Sequence, residues 1–364
     1  MKKTTPFVIA GAAIAGIGAV AGCAACLSAS RRKTIASIKK LFDYADGYNL
    51  YSMNICYNYD LDAVIARGVG DDQSMVDSFV KEALPLIPVH IEPPQFACTA
   101  FTMAEKGSDV CMGRNYDFAL DSSAMLVHCA PKDGYKSVAT AALDNVGVLD
   151  PMKSMRDKLA CLVSPFLCLD GVNEKGVSIA VLTLDSKPVT QNTGKVTICT
   201  SMAIRLVLDR AATTQEAVDL LSSYDMFASC GRDYHFYITD ATGDGRVVEY
   251  DCDSPTRELV ATKSSATTNF YVMYKEKVRS YQKNEHYGHG RERYDAVLSV
   301  LEQESGNYGD DAAWKALRAA AQDPKPNDIT SNTQWSIVYN NTQRNAQIAI
   351  RRNWQDVFYY GLEE

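Results

Sequence analysis

Cys98, Arg114 and Asp117 are the residues of this chain whose types and spacing could do nucleophilic chemistry. Phe96 to Met103 and Cys111 to Phe118 flank Glu105-Lys106-Gly107-Ser108-Asp109. That turn composition predicts an antiparallel hairpin centred near Gly107. Residue 98 then falls opposite roughly residue 116, and Arg114 and Asp117 return beside Cys98. Being three apart, the two would face opposite sides of an unbroken strand, so the strand must bend or end between them for both to reach the sulfur. A neighbouring arginine favours the thiolate and lowers a pKa that starts near ~8.5. A carboxylate opposes ionisation unless a cation lies between. A free α-amine on Cys98 would be that cation, and cleavage of the Ala97–Cys98 bond would create it. Its pKa of about 7.7 to 8.0 suits a general base, so the nucleophile would carry its own base.

Taken singly, each residue has a plainer reading. Cys98 alone reads as a buried core thiol, and Arg114 with Asp117 as a surface ion pair. Asn269 alone reads as a turn residue and Arg293 as a solvated helix charge. Asp240, Thr242, Asp244 and Asp251 partly fit a calcium loop, but flanking strands and the lack of a final Glu favour a hairpin turn. His286-Tyr287-Gly288-His289 could open a metal site, yet no partner cluster at ligand spacing completes it. Phosphate-binding glycine loops are absent. The sequence predicts no metal and no cofactor.

The elements that position these residues are mostly strands. Apolar stretches at 98–104, 110–114, 177–184, 196–201, 234–239, 246–250, 333–340 and 346–351 alternate with turn signals at 105–109, 173–176, 240–245 and 340–341. Short connections predict antiparallel sheets. Helical spacing predicts one helix near 72–83, one beginning at 204–208, one opened by Thr213-x-x-Glu216, one striped by Tyr294, Val297, Leu298 and Leu301, and one carrying Trp314, Leu317, Ala320 and Ala321. Runs of strands broken by helix pairs indicate α+β.

The chain has 364 residues, 46% of them hydrophobic and 22% charged, which is ordinary globular composition. Seven of its 37 Lys and Arg, and none of its acids, lie in residues 1–40, so the remainder holds 30 bases against 44 acids. A body at −14 repels phosphate backbones, so no nucleic-acid partner is expected. Phe7 to Leu27 is uncharged and 12 of its 21 residues are Ala or Gly, bracketed by Lys2 and Lys3 and by Arg31, Arg32 and Lys33. It reads as a signal or membrane-anchor segment. Val20-Ala21-Gly22-Cys23 resembles a bacterial lipobox, which makes Cys23 a lipidation candidate. The protein is expected to be membrane-associated or secreted, with the side of the membrane left open by the charge pattern. Eleven scattered cysteines, an odd number, give no disulfide framework. Residues 1–33 read as signal or anchor, and no linker splits the chain after them.

Cys98 with Arg114-Asn115-x-Asp117 resembles the choloylglycine hydrolase, or linear amide C-N hydrolase, family of N-terminal-nucleophile enzymes, which is related to bile salt hydrolases, penicillin V acylases and acid ceramidase. Asp170-Gly171-Val172-Asn173-Glu174-Lys175-Gly176-Val177, His235 to Asp240 with Gly243 and Glu249, and Thr268-Asn269-Phe270 are similar to further motifs of that family, in the same order. The resemblance implies a four-layer αββα sandwich, self-cleavage before Cys98, and hydrolysis of a small N-acyl amide through an acyl-enzyme on Cys98. That 34–97 is a propeptide-like leader and 98–364 the N-terminal-nucleophile hydrolase domain is likewise what the resemblance implies. It implies that Arg114 holds the thiolate, Asp117 the α-amine, and Arg293 braces the site. Asn269 would donate to the oxyanion, with the backbone N–H of Thr183 as a second donor where bile salt hydrolases usually have Asn. An acyltransferase of the same fold, a membrane-tethered binding protein without turnover, and a Cys–His hydrolase using His128 or His235 are the alternatives. Self-association into a homo-oligomer stays open.

Overall fold

Gly107 turns the chain with φ at +92°, a conformation glycine adopts without a Cβ clash, and the hairpin that follows joins Ala97–Met103 to Cys111–Asp117 with Cys98 opposite Tyr116. The computed structural model describes residues 27–364 except 45–46, 85–96, 119–120, 283–285, 326–327, 329–330 and 363–364. Cys23, the lipobox and most of the 1–33 segment lie outside the described residues. Among the described residues no helix is long and apolar enough to cross a membrane.

The nucleophile hairpin sits inside a six-stranded sheet ordered Ala266–Thr267, Ala97–Met103, Cys111–Asp117, Thr333–Asn340, Asn345–Ile350, Val357–Gly361. Gly113 is needed there for room, since a Cβ would lie 2.1 Å from the Phe101 ring. A nine-stranded sheet runs in the order Lys39–Phe42, Leu50–Ile55, Ala124–Cys129, Ser137–Ala142, Cys168–Asn173, Ser178–Leu184, Asp233–Thr239, Arg246–Tyr250, Leu259–Lys263. The sheets meet where Ala97–Met103 packs on Ser178–Leu184. Residues 98–103 of the first strand and all of the second are buried, so the core lies between the sheets.

Helices close the two outer faces. Thr200–Arg210 and Thr214–Ser222 cover the nine-stranded sheet, while Arg291–Gln303 and Asp310–Ala320 cover the six-stranded one. Asp310 and Asp311 favour the start of the last helix by their charge. Ala313, Leu317 and Ala320 form its buried stripe. The Thr213 hydroxyl caps its helix by accepting from Glu216 N–H, but Glu216 turns its carboxylate to Ala212 N–H and so makes only half of the expected box. The result is α+β in four layers, αββα.

Two features depart from the sequence reading. The strand expected at 196–201 is confined to Thr197–Cys199, because the helix takes over at Thr200. The connections are not all antiparallel: Leu50–Ile55 runs parallel to Ala124–Cys129, and Asp225–Phe227 parallel to Thr197–Cys199. In the first case Leu50–Ile55 pairs with a strand about 70 residues later in the chain, so the pairing is not made by a hairpin.

Candidate active site

Cys98 is fully buried and shares a face with its cross-strand partner Tyr116 and with Arg114. That face looks toward the nine-stranded sheet. Arg114 Nη2 donates to Val181 O at 3.3 Å, and Arg114 Nε lies 2.5 Å from Asp170 Oδ2. The guanidinium also stands 5.3 Å from the Tyr116 ring, which stacks on Trp335 at 4.1 Å. Arg114 is therefore held by a carboxylate, a carbonyl and a ring, with its charge on the side of the Cys98 thiol.

Asp117 points the other way, as strand alternation requires. Its carboxylate accepts from Thr333 Oγ1 at 2.6 Å and Gln322 Nε2 at 3.0 Å, and lies 3.5 Å from Arg293 Nη1. A bulge in the neighbouring strand between Thr333 and Trp335 marks the bend at this point. The bend does not bring both side chains to the sulfur: Arg114 shares the face of Cys98, and Asp117 does not. The cation beside the Asp117 carboxylate is Arg293.

Arg293 and Asn269 clamp the peptide of Cys98. Arg293 Nη1 donates to Cys98 O at 2.7 Å and to Thr99 Oγ1 at 2.9 Å, and its Nη2 donates to Asn269 Oδ1 at 2.7 Å. Cys98 N–H donates to the same Asn269 oxygen at 3.0 Å. Asn269 Nδ2 donates to Thr183 O at 2.8 Å and lies 3.2 Å from Thr183 Oγ1. All five residues singled out from sequence, with Thr183, thus meet around one cysteine. In this state, however, the Asn269 side-chain N–H is engaged with Thr183 and its carbonyl faces the Cys98 nitrogen. Gly290 lets Arg293 lie this close, since a Cβ there would stand 2.4 Å from Nη2.

Behind the clamp, His235 Nε2–H donates to Thr268 O at 2.8 Å and its Nδ1 lies 3.2 Å from Glu249 Oε1. Glu249 also accepts from Val272 N–H and Met273 N–H, at 2.6 and 2.9 Å. With both ring nitrogens engaged, His235 fixes the backbone ahead of Asn269 and is not a base for the thiol. His128 lies on Ala124–Cys129, in the other sheet from Cys98. The Cys–His reading finds no support in this geometry.

Burial pushes the Cys98 thiol up to about 11, against the pull of Arg114. It also raises Asp117, opposed chiefly by Arg293, and Asp170, opposed chiefly by Arg114. Arginine, carboxylate and amine are foreseen from sequence, desolvation is not; it outweighs the arginine, and the thiol stays protonated at neutral pH. Asp170 belongs to the site although sequence reasoning treats it only as the start of a turn motif. Thr333 and Gln322 arrive from distant segments and carry no sequence signal. The absence of metal-ligand partners for His286 is corrected too, because the fold brings Cys252 and Asp253 to it.

Residues 98–256 match the family of linear amide C-N hydrolases, choloylglycine hydrolase family. Two variants of conjugated bile acid hydrolase from Clostridium perfringens are similar in structure. One has a TM-score of 0.53 at 15% identity, covering 72% of this chain and 92% of that one. The other has a TM-score of 0.54 at 14% identity, covering 73% and 92%. Penicillin V acylase from Agrobacterium tumefaciens has a TM-score of 0.53 at 17% identity, covering 72% and 86%. At such identities the likeness is one of fold. Among curated proteins no sequence matches the chain. The resemblance read from the motifs is borne out by the family match, and the N-terminal-nucleophile fold by the solved structures.

Proposed function

Taking residues 98–256 as part of the choloylglycine hydrolase family, and the chain therefore as a hydrolase of linear amide C–N bonds, we propose that it is the precursor of a self-processed cysteine amidase acting on N-acyl compounds. The observation that carries this reading is the clamp on Cys98: its sulfur beside Arg114, its nitrogen on Asn269 and its carbonyl on Arg293. In maturation Cys98 Sγ attacks the Ala97 carbonyl carbon. The thiol proton passes to the Cys98 nitrogen as the C–N bond breaks, and water hydrolyses the thioester. The products are a carboxylate on Ala97 and a free amine on Cys98. Since Ala97 stands opposite Asp117, its departure opens the space beside that carboxylate for the new amine.

Turnover then follows the same course. The α-amine takes the thiol proton, Sγ attacks the substrate amide, and N–H groups of Asn269 and Thr183 receive the oxyanion. The amine returns the proton to the leaving nitrogen, and water, deprotonated by the same amine, releases the acid and restores the thiol. For the side-chain N–H of Asn269 to serve, it must leave Thr183. Arg114, paired to Asp170, stabilises the thiolate once desolvation is relieved. Residues 1–33 are proposed to export or tether the enzyme, with Cys23 as the acylation point.

The test combines intact-mass analysis with a substrate panel of conjugated bile acids, N-acyl amino acids, N-acyl ethanolamines and penicillin V. Working protein should begin at Cys98 and cleave at least one of these, while Cys98→Ala should stay full-length and inactive. Turnover by protein in which residues 97 and 98 are still joined would overturn the proposal. Adding amines to the same assay separates acyl transfer from hydrolysis.

A further inference from the structure

The hairpin Arg246–Tyr250 to Leu259–Lys263, at the edge of the nine-stranded sheet, carries Cys252 and Asp253 at its tip. The fold brings His286 against them, and a thiol sulfur, a carboxylate oxygen and an imidazole nitrogen all come within 4.8 Å of one another. None of the three contacts Cys98 or the clamp around it. We propose that Cys252, Asp253 and His286 bind a divalent transition-metal ion of the zinc class, with a water in the fourth position.

The geometry is close to what such an ion requires. His286 Nε2 lies 3.6 Å from Asp253 Oδ1, and Cys252 Sγ lies 3.9 Å from the same oxygen. Tetrahedral zinc with metal–sulfur bonds of about 2.3 Å and metal–nitrogen or –oxygen bonds of about 2.0 to 2.1 Å sets ligand-to-ligand separations of roughly 3.4 to 3.6 Å. The two separations to Asp253 need to contract by a few tenths of an ångström, and the thiol and imidazole, within 4.8 Å of each other, by at most about 1.2 Å. A sulfur ligand selects against magnesium and calcium, which take oxygen.

The groups around Asp253 divide the work of its two oxygens. Lys277 Nζ lies 3.4 Å from Oδ2, the other carboxylate oxygen, and rests over the Tyr274 and Tyr287 rings at 4.4 and 4.5 Å. The Tyr287 hydroxyl reaches Oδ2 at 3.0 Å and Oδ1 at 3.3 Å. These contacts orient the carboxylate as outer partners of a metal ligand do, and they leave Oδ1 facing the other two donors. Asp251 steadies the tip by accepting from Asp253 N–H at 2.8 Å and from the Tyr274 hydroxyl at 2.6 Å. Burial and Asp253 hold the Cys252 thiol protonated, at about 11, so the ion would displace that proton to solvent. His286 lies just ahead of Gly288–His289, the strand paired with Asn269–Phe270. A bound ion would therefore tie the hairpin tip to the segment beside the Asn269 strand.

The test uses the full-length protein stripped with chelator and titrated with cobalt(II). Wild type should bind one ion with a sulfur-to-cobalt charge-transfer band in the near ultraviolet that zinc(II) displaces. Cys252→Ser should abolish the band, and His286→Ala should weaken binding about tenfold or more. Cys98→Ser should keep both band and affinity. A titration of wild type with no such band would overturn the proposal, as would a band that survives Cys252→Ser or disappears in Cys98→Ser. Neither outcome depends on whether the chain hydrolyses amides.

Discussion

Because Cys98 is wholly enclosed and its thiol is pushed up to about 11, the thiolate fraction of the uncut chain at neutral pH is very small. Below 11 that fraction grows about tenfold per pH unit, so iodoacetamide should label uncut chain slowly at neutral pH and progressively faster toward pH 11. Cut chain should label readily at neutral pH, because the new ammonium adds a second cation to Arg114. Mass spectrometry of Cys98 peptides from the two forms checks this, and equal rates would contradict it. The pair behind the thiol is equally exposed to test. Arg114→Met leaves Asp170 fully buried with Tyr339 but no cation. Breaking one half of a buried pair costs about 3 to 5 kcal/mol, so the urea midpoint should fall accordingly and Arg114→Met with Asp170→Leu should recover part of the loss. Arg114 was legible from the hairpin spacing, since cross-strand position follows from the turn. Its counter-charge was not, because Asp170 belongs to the facing sheet and no local pattern reports which strand lies across the core.

Elements were readable where turn chemistry and periodicity agreed. Asp240 Oδ1 accepts from Thr242 N–H and Oγ1, at 2.8 and 2.6 Å, which is the hairpin turn preferred over a calcium loop from sequence. The strand Ser137–Ala142 was not readable: it is buried on both faces and made of Ser, Val, Ala and Thr, so it neither alternates nor stands out as apolar. Ala124–Cys129 is likewise continuously buried, and it carries a titratable group with a consequence. Burial lowers the His128 pKa from 6.5 to about 4. The unfolded chain takes up a proton near pH 6.5 that the folded chain refuses until about pH 4, so stability falls as pH drops through that window. At roughly 1.4 kcal/mol per unit the loss is about 3 kcal/mol. His128 stands beside Asn54 in the parallel pair, so the weakened junction is the one holding the leader strand. His128→Leu should flatten the decline of the melting temperature between pH 6.5 and pH 4 relative to wild type; an unchanged decline would assign it to other groups.

The leader segment is joined to the whole molecule by far more than the peptide bond before Cys98. Leu50–Ile55 pairs along its full length with Ala124–Cys129. The Tyr57 hydroxyl donates to Leu162 O at 2.6 Å, that of Tyr59 to Asp209 at 2.9 Å, and the Phe79 ring stacks on Phe166 at 5.3 Å. Leu50, Met53, Val64 and Phe79 are completely buried, and side chains of this kind contribute roughly 1.5 to 3 kcal/mol each when fully removed from water. Cleavage at 97 breaks none of these contacts. The cut protein is therefore expected to remain one particle of two pieces: gel filtration should give a single species of full-chain mass, and denaturing electrophoresis under reducing conditions should resolve it. The reason reaches beyond affinity. Release of the leader would strip Ala124–Cys129 of its neighbour and leave a buried, apolar strand as a bare sheet edge, the feature that invites pairing between chains. Phe79→Ala, costing about 3 to 5 kcal/mol, should turn the cut protein from a stable complex into an aggregating one while sparing a freshly made uncut chain longer, because there the leader is still covalently tethered. A body that elutes alone, monomeric and soluble, after cleavage would show that the nine-stranded sheet does not need its leader.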